Sequence, residues 1–391
     1  MNTSARVLLL LLVAMLSSSA LVAEEAKIEF KKAQLDSAFR GEGVAVADFN
    51  RDGKMDIATG TVWYAAPDWK MHNITAEAKE YQAKGYSDCF NAWADDLNAD
   101  GWPDVIEITW PGKAAVWFEN PQGKEGPWKQ HVLAPVASNE SPQYVDIDGD
   151  GKRELVLAFA KGDPNAGDRR MGIARRADDP YKPWDIQPIS KPAAPNTKRY
   201  DHGLGVGDVN GDGRMDVLVP QGWWEQPADA AAEDWPFHPA PLGQPCADMH
   251  VLDVDADGDA DVLSSSAHNF GIWWHEQLDG GKWRTHEIDK SYSQTHAMCL
   301  ADINGDGLPD FVTGKRWWAH GGRDPGGDQA AVFNWYQFSR EDGKPKWTRH
   351  QFDHDSGPGT QFTVADVNGD KLPDVVTSNK KGVHYFEQVR P

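Results

Sequence analysis

Residues 302–310, DINGDGLPD, are one of seven variants of a single acidic stretch. The others are DFNRDGKMD from Asp48, DLNADGWPD from Asp96, DIDGDGKRE from Asp146, DVNGDGRMD from Asp208, DVDADGDAD from Asp253 and DVNGDKLPD from Asp366. Their first aspartates lie 48, 50, 62, 45, 49 and 64 residues apart, a period near 48 with two insertions. One such match is weak; seven in register define an internal repeat, and a repeat of this length fixes the kind of fold.

Each copy places oxygen-bearing side chains at positions 1, 3, 5 and 9, with glycine at position 6 in six of the seven. Calcium takes about six to eight oxygen ligands, and alternate residues of a tight loop can converge on one point. The expected ligands are Asp48, Asn50, Asp52 and Asp56 in the first copy and Asp96, Asn98, Asp100 and Asp104 in the second. The third and fourth offer Asp146, Asp148, Asp150, Glu154 and Asp208, Asn210, Asp212, Asp216. The fifth and sixth offer Asp253, Asp255, Asp257, Asp261 and Asp302, Asn304, Asp306, Asp310, and the seventh Asp366, Asn368, Asp370 and Asp374. Position 7 varies freely, as expected if only its carbonyl is used. Glycine at position 6 permits the sharp turn; Lys371 replaces it in the seventh copy, where a strained or weaker site is expected. Up to seven calcium ions are therefore expected.

An EF-hand is the competing reading. It requires Glu at position 12, and only Glu107 fits. Downstream, WPDVIEI, LPDFVTG and LPDVVTS carry β-branched residues toward a turn, which reads as strand, not helix. Ahead of the loops stand short runs such as GVAVAD and GLGVGD. Behind them come aromatic pairs: Trp63–Tyr64, Trp117–Phe118, Trp223–Trp224, Trp273–Trp274, Trp335–Tyr336 and Tyr385–Phe386. A fourth segment often reads Trp, two residues, His, as in Trp128 to His131 and Trp283 to His286; these histidines are expected to pack. Four short strands per period predict an all-β chain, a seven-bladed β-propeller with a calcium loop in each blade. The last repeat has three strands, around 360–365, 374–377 and 383–388, while KIEFKK at 27–32 precedes the first. That N-terminal strand is expected to join the last blade and close the ring, which removes an exposed sheet edge.

These seven loops resemble the FG-GAP or VCBS repeat family, known from the integrin α-subunit propeller and from secreted bacterial proteins. The resemblance covers nearly the whole chain after its N-terminus. It implies that the calcium loops join the first and second strands of each blade, on the face away from the usual ligand face. The sites would then be structural, and function would sit opposite; the family shares a fold but no single function.

Arg6, the apolar run 7–16 and the small residues Ser17 to Ala20 and Ala23 read as a signal peptide over 1–23, cleaved after Ala20 or Ala23. The run is too short to span a bilayer. A soluble, extracytoplasmic propeller over 24–391 is expected, secreted or periplasmic, without membrane insertion and as a monomer. Cys89, Cys246 and Cys299 are expected to be buried and unpaired, since Cys89 and Cys246 hold equivalent places in non-neighbouring repeats. A net charge of −21 argues against sequence-independent nucleic-acid binding. The loops hold 24 acidic residues, and seven calcium ions would bring the charge to −7, so metal accounts for most of the acidity.

Opposite the loops, His202 and His296 stand six residues before a first loop Asp and His250 three before, with Asp201 and Asp248 beside two of them. Three imidazoles there could hold zinc or another transition metal with an open position, or one could act as general acid or base. The different offset of His250 turns its side chain the other way, and satisfied polar residues near the axis are the plain alternative. Two insertions are expected to enlarge this face. The first, in repeat three, carries Arg169, Arg170, Arg175 and Arg176; the second, in repeat six, carries Lys315, Arg316, Trp317, Trp318 and His320. Trp317 and Trp318 beside cations suit a sugar or uronate ring, or else continue the aromatic-pair pattern. Two function classes follow. One is a recognition module for a glycan or extracellular protein. The other is a carbohydrate-active enzyme, since the arrangement also looks like the propellers of polysaccharide lyases and of a fungal aldos-2-ulose dehydratase. There a histidine would abstract a proton and Lys315 or Arg316 would stabilise the enolate. Recognition is placed first because the catalytic constellation is inferred, not spelled out.

Overall fold

The structure, a computed structural model, describes residues 27–391 except 161, 164 and 166. The expected signal peptide, with Ala20 and Ala23, lies outside the described residues. The described residues are almost entirely β, with 28 strands and a single short 3-10 turn at Ala319–Gly322 among them. Each repeat is an antiparallel meander. In the first, Ala45–Ala47 pairs with Asp56–Thr59, then Val62–Ala65, then Lys70–Asn73. The second strand of each repeat is buried along its length, which explains its unbroken apolar run, while the outer strands alternate. Glu107, the residue that mimicked an EF-hand, is buried inside the strand Asp104–Ile108.

The N-terminal strand Glu29–Asp36 pairs antiparallel with Gly382–Val389, from Glu29 opposite Val389 to Asp36 opposite Val383. The expectation of seven separate blades needs a correction. Five four-stranded sheets stand alone, but repeats four and five share one eight-stranded sheet. Their first strands, Leu204–Gly207 and Asp248–Leu252, run parallel with Leu204 opposite Asp248 and Gly205 opposite Met249. The reason lies in the GLGVG run. A Cβ at Gly205 would collide with the Met249 carbonyl and one at Gly207 with Val251, so the missing side chains let two inner strands approach to hydrogen-bonding distance.

Seven hydrophobic clusters each join two consecutive repeats. Trp117, Ile106, Leu155 and Leu157 join repeats two and three, for example. Val44, Ile57 and Tyr64 of repeat one pack with Val376, Val383 and Tyr385 of repeat seven. Each large apolar side chain contributes about 1.5–3 kcal/mol when fully buried, so cohesion is spread over many equivalent contacts. On the outer strands Trp63–His72, Trp117–His131, Trp223–His238, Trp274–His286 and Trp335–His350 stack with centroids 4.2–4.4 Å apart. These histidines are packing residues; Glu119 caps His131 at 2.9 Å, Glu225 caps His238 at 2.7 Å and Glu276 caps His286 at 2.7 Å. The three cysteines are free.

Candidate functional site at the mouth opposite the acidic loops

The acidic loops link first to second strands, so the residues just before each first strand sit at the other end. Six positions before the seven first aspartates stand Glu42, Phe90, Glu140, His202, Ala247, His296 and Thr360, and all seven are buried. One register position thus supplies seven buried side chains. His202 and His296 were found by residue type. Glu42 and Glu140 share their offset and were missed, because only histidines were sought there.

Glu140 sits between the two imidazoles: its Oε2 lies 3.2 Å from His202 Nε2 and 3.6 Å from His296 Nε2. Burial works to raise the Glu140 carboxyl, but both imidazoles outweigh it and hold it well below the usual range. Burial, aided by Arg316, pushes His296 well below its ordinary value. His202 packs edge-on to His268 at 4.5 Å, and His268 stacks on His320 at 4.4 Å. Asp324 accepts from His320 Nδ1 at 3.0 Å and from Gln294 Nε2 at 3.1 Å, with His268 Nδ1 3.4 Å away. Burial depresses His268 to about 4, so it is neutral at ordinary pH. Burial opposes ionisation of Asp324, yet Gln294 and His320 keep it below its usual value.

The network continues round the mouth. Arg316 Nη2 donates to Glu42 at 2.6 Å, and Lys380 lies 3.9 Å from the same carboxylate and 3.9 Å from the ring centre of Tyr86. The Tyr86 hydroxyl accepts the His320 amide at 3.1 Å. Every repeat but the fifth therefore contributes a polar side chain through or near its leading residue, and the fifth contributes His268 from its second-to-third-strand link. Tyr86, Phe90, Trp110 and Tyr200 form an aromatic run, with Trp110 Nε1 donating to the Tyr200 hydroxyl at 3.0 Å. Four non-glycine residues here take left-handed backbone: Tyr200, Gln294, Trp318 and His320, at φ 68°, 59°, 56° and 47°. Such strain gathers where surrounding structure enforces a function-specific geometry.

Several expected site residues lie elsewhere. His250 does not join His202 and His296; its Nε2 bonds the Met298 carbonyl at 3.0 Å in the inner wall. Asp248 accepts from Gln143 Nε2 at 2.9 Å and the Met298 amide at 3.0 Å, tying repeats three, five and six together. The three-residue offset, half the others, is the cause. Lys315 is wholly buried, donating to Gln294 Oε1 at 2.7 Å, and burial lowers it to about 8; Arg316 is spent on Glu42. Neither faces an open surface. Asp201 accepts the Lys198 amide at 2.7 Å and shapes the loop beside His202. Trp317 and Trp318 are not the aromatic pair of repeat six, which is Trp335–Tyr336 on Val332–Glu341. They are half-buried beside the 3-10 turn, with Lys381 5.6 Å and Lys84 4.6 Å from their rings. The arginines of the first insertion divide between two ends. Arg169 lines the cavity beside His202, whereas Arg175 pairs with Asp148 of an acidic loop and Arg176 with Asp95. The strand Arg170–Arg175 carries the chain from one end to the other, which the sequence reading did not allow for.

The acidic loops are built alike. In all seven, the position 1 carboxylate accepts the position 6 amide, from Gly53 to Asp48 at 2.8 Å through to Lys371 to Asp366 at 2.9 Å. Lys371 takes φ 71°, the glycine conformation of the other copies. Position 9 is buried and accepts the position 2 amide, as Asp56 does from Phe49 at 3.0 Å. Burial and neighbouring carboxylates push Asp104 and Glu154 up to about 7. The trios Asp146–Asp148–Glu154 and Asp253–Asp255–Asp261 bring carboxylate oxygens within 4.8 Å of one another. Oxygen-rich and crowded, with the buried position 9 carboxyl resisting ionisation, these loops fit a hard cation.

A cavity of about 490 Å³ opens at the mouth, lined by Arg169, Lys198, Tyr200, Asp201, His202 and His268. A larger one, about 770 Å³, lies between the outer strands of repeats one and two, among Trp63, His72 and Trp128. The smaller is the candidate site, because the larger is lined by stacking residues and holds no convergent acid–base groups.

No curated protein matches the chain. Among solved structures, BBS1N in complex with ARL6DN is 10% identical over 93% of this chain and 97% of its own, with a TM-score of 0.54. A lectin of Agrocybe aegerita that recognises non-reducing terminal N-acetylglucosamine is 14% identical over 84% and 81%, with a TM-score of 0.45. Rhamnogalacturonan lyase YesW is 13% identical over 91% and 75%, with a TM-score of 0.47. The FG-GAP-like repeat matches residues 96–157 and 253–313, and the FG-GAP repeat residues 40–64. The chain thus carries FG-GAP and FG-GAP-like repeats, and its all-β, propeller-like fold fits an FG-GAP repeat protein.

Proposed function

We propose that this protein is an extracytoplasmic, carbohydrate-active enzyme of the lyase or dehydratase type, working at the mouth of a calcium-stabilised closed ring of seven repeats. The observation that carries the reading is the half-exposed His320, held in left-handed backbone, oriented by Asp324 and stacked on a neutral His268. Asp324 accepts from Nδ1, which fixes the tautomer and leaves Nε2 as the base, the orientation a proton-abstracting imidazole needs. In the reaction, His320 takes a proton from the carbon beside a carbonyl or carboxylate. The C–H electron pair forms a carbon–carbon double bond, and the bond from the adjacent carbon to its oxygen substituent breaks. That departing oxygen takes the proton of Tyr86, whose hydroxyl burial keeps protonated. Lys380, buried beside Tyr86 and Glu42 and lowered by burial to about 8, places positive charge against the Tyr86 ring and so favours the tyrosinate left when that proton departs.

The aromatic run of Tyr86, Trp110 and Tyr200 suits the apolar face of a sugar ring, and Lys84, Lys198 and Arg169 suit an anionic edge. The acidic loops bind calcium as scaffold, with Asp146, Asp148, Glu154 and Asp253, Asp255, Asp261 the best-formed sets. The test is turnover on a panel of anionic polysaccharides and keto-sugars, read as ultraviolet absorbance of the new conjugated double bond. Activity in the wild type and its loss in His320→Ala are expected. Glycan binding without any unsaturated product would overturn the enzyme reading in favour of a recognition module, the second function, which the same aromatic run supports.

A further inference from the structure

From Glu140, His202 and His296 we infer a transition-metal site, selective for an ion such as zinc that takes imidazole nitrogen and carboxylate oxygen. One atom from each residue lies within 4.8 Å of the others, and all three side chains are nine-tenths or more buried. Three nitrogens there, His202 Nε2 and both of His296, are buried without a hydrogen-bond partner. Orphaned buried polar atoms are costly, and three in one cluster indicate a missing partner.

The tautomer of His202 sharpens this. Its Nδ1 lies 2.6 Å from the Tyr200 carbonyl, which can only accept, so Nδ1 carries the hydrogen. Nε2 is then the atom left to present a lone pair, and a Glu140 carboxylate oxygen lies 3.2 Å from it. Two acceptors facing each other at that distance repel unless a cation lies between them. A bridging proton is the simplest cation, yet His202 Nε2 and Glu140 lack hydrogen-bond alignment although the distance allows a bond. A metal ion needs no such alignment along the N–H axis. A backbone carbonyl on the far nitrogen is also the usual way a ligating histidine is oriented. Two imidazoles and one carboxylate form a recurrent donor set for zinc with an open coordination position; of the three, His202 lines the cavity beside His268. The calcium loops offer oxygen alone and cannot compete for a nitrogen-preferring ion.

This inference deepens the reaction site proposed above but is read out as metal binding, so either can fail while the other stands. Full-length protein stripped with chelator is titrated with Co2+ in excess Ca2+, following the visible absorption of nitrogen-ligated cobalt and its displacement by Zn2+. The expected result is one displaceable ion per chain. Affinity should fall by at least about 10–100-fold, the loss typical even of outer-sphere changes, in His202→Ala, His296→Gln and Glu140→Gln. Asp324→Asn, in the adjacent His268–His320–Asp324 group, should retain it. The site is overturned if wild type shows no nitrogen-ligated spectrum, if folded Glu140→Gln and His202→Ala bind as wild type does, or if Asp324→Asn alone abolishes binding. The conservative Glu140→Gln guards against a variant that merely fails to fold.

Discussion

The two ends of each first strand differ in kind. At one end stand seven nearly identical acidic loops, each with a position 1 carboxylate closing on the position 6 amide. At the other end the equivalent register position holds Glu42, Phe90, Glu140, His202, Ala247, His296 and Thr360, five residue types in seven copies. Left-handed non-glycine residues occur at both ends, Arg51, Ala99, Ala256 and Lys371 in the loops and Tyr200, Gln294, Trp318 and His320 at the mouth. In the loops the strain recurs at positions 4 and 6 and belongs to the repeat. At the mouth it falls at unrelated places. Repetition marks the scaffold; divergence at a repeated position marks the part released for chemistry.

Five experiments can break or sharpen this contrast. Chelating calcium should lower the melting temperature most, because a site filled at a hundred times its dissociation constant contributes about 2.7 kcal/mol and several act together; a melting curve that ignores chelator would remove metal from the scaffold end. Arg316→Met leaves buried Glu42 with only the more distant Lys380, 3.9 Å away, as a charged partner, and a loss of about 3 kcal/mol in denaturant unfolding is expected. His320→Ala should cost about 10²–10⁴-fold in kcat, the usual contribution of a positioned acid–base group, with the unfolding midpoint unchanged. An equal fall in stability would make His320 a structural residue.

The fourth concerns acid. Burial would raise Asp353, but Lys32 at 2.7 Å, followed by Ser356, depresses it strongly. A carboxyl depressed in the folded state contributes stability above its unfolded pKa, and that stability is lost as pH falls through the folded value. Lys32→Met should therefore destabilise by about 1–2 kcal/mol at neutral pH and flatten the fall in stability below about pH 4. A parallel pH profile would show that the pair holding the N-terminal strand contributes nothing. The smallest effect is Lys371→Gly: relief of left-handed backbone, worth about 1–2 kcal/mol, is offset by glycine's greater entropy loss, leaving a gain below about 1 kcal/mol in the melting measurement.

Much of the fold was legible because its determinants are local. The alternation of small residues, acidic loop, β-branched run and aromatic pair names four strands without reference to anything distant. The joining of repeats four and five was not read, although GLGVG was quoted, because its consequence depends on what the glycines face across the gap. At the mouth, His202, His250 and His296 were all found by residue type, and only the two with the six-residue offset share the site. Applied to every residue type, the same offset would have returned Glu42 and Glu140. Lys315 and Arg316 were misjudged because charge suggests exposure, and burial here is made tolerable by Gln294 and Glu42, hundreds of residues apart in one case.

The sequence by itself determined the repeat, the strand order within it and the position of each acidic loop, since hydrogen bonding and turn geometry over nine residues set them. Only the tertiary structure decided that Glu140 lies between His202 and His296, that Asp324 orients His320, and that Arg175 belongs to the scaffold end. The first of those contacts crosses between repeats, where spacing along the chain carries no information about which side chains meet; the other two lie within one repeat and depend on how its insertion folds back.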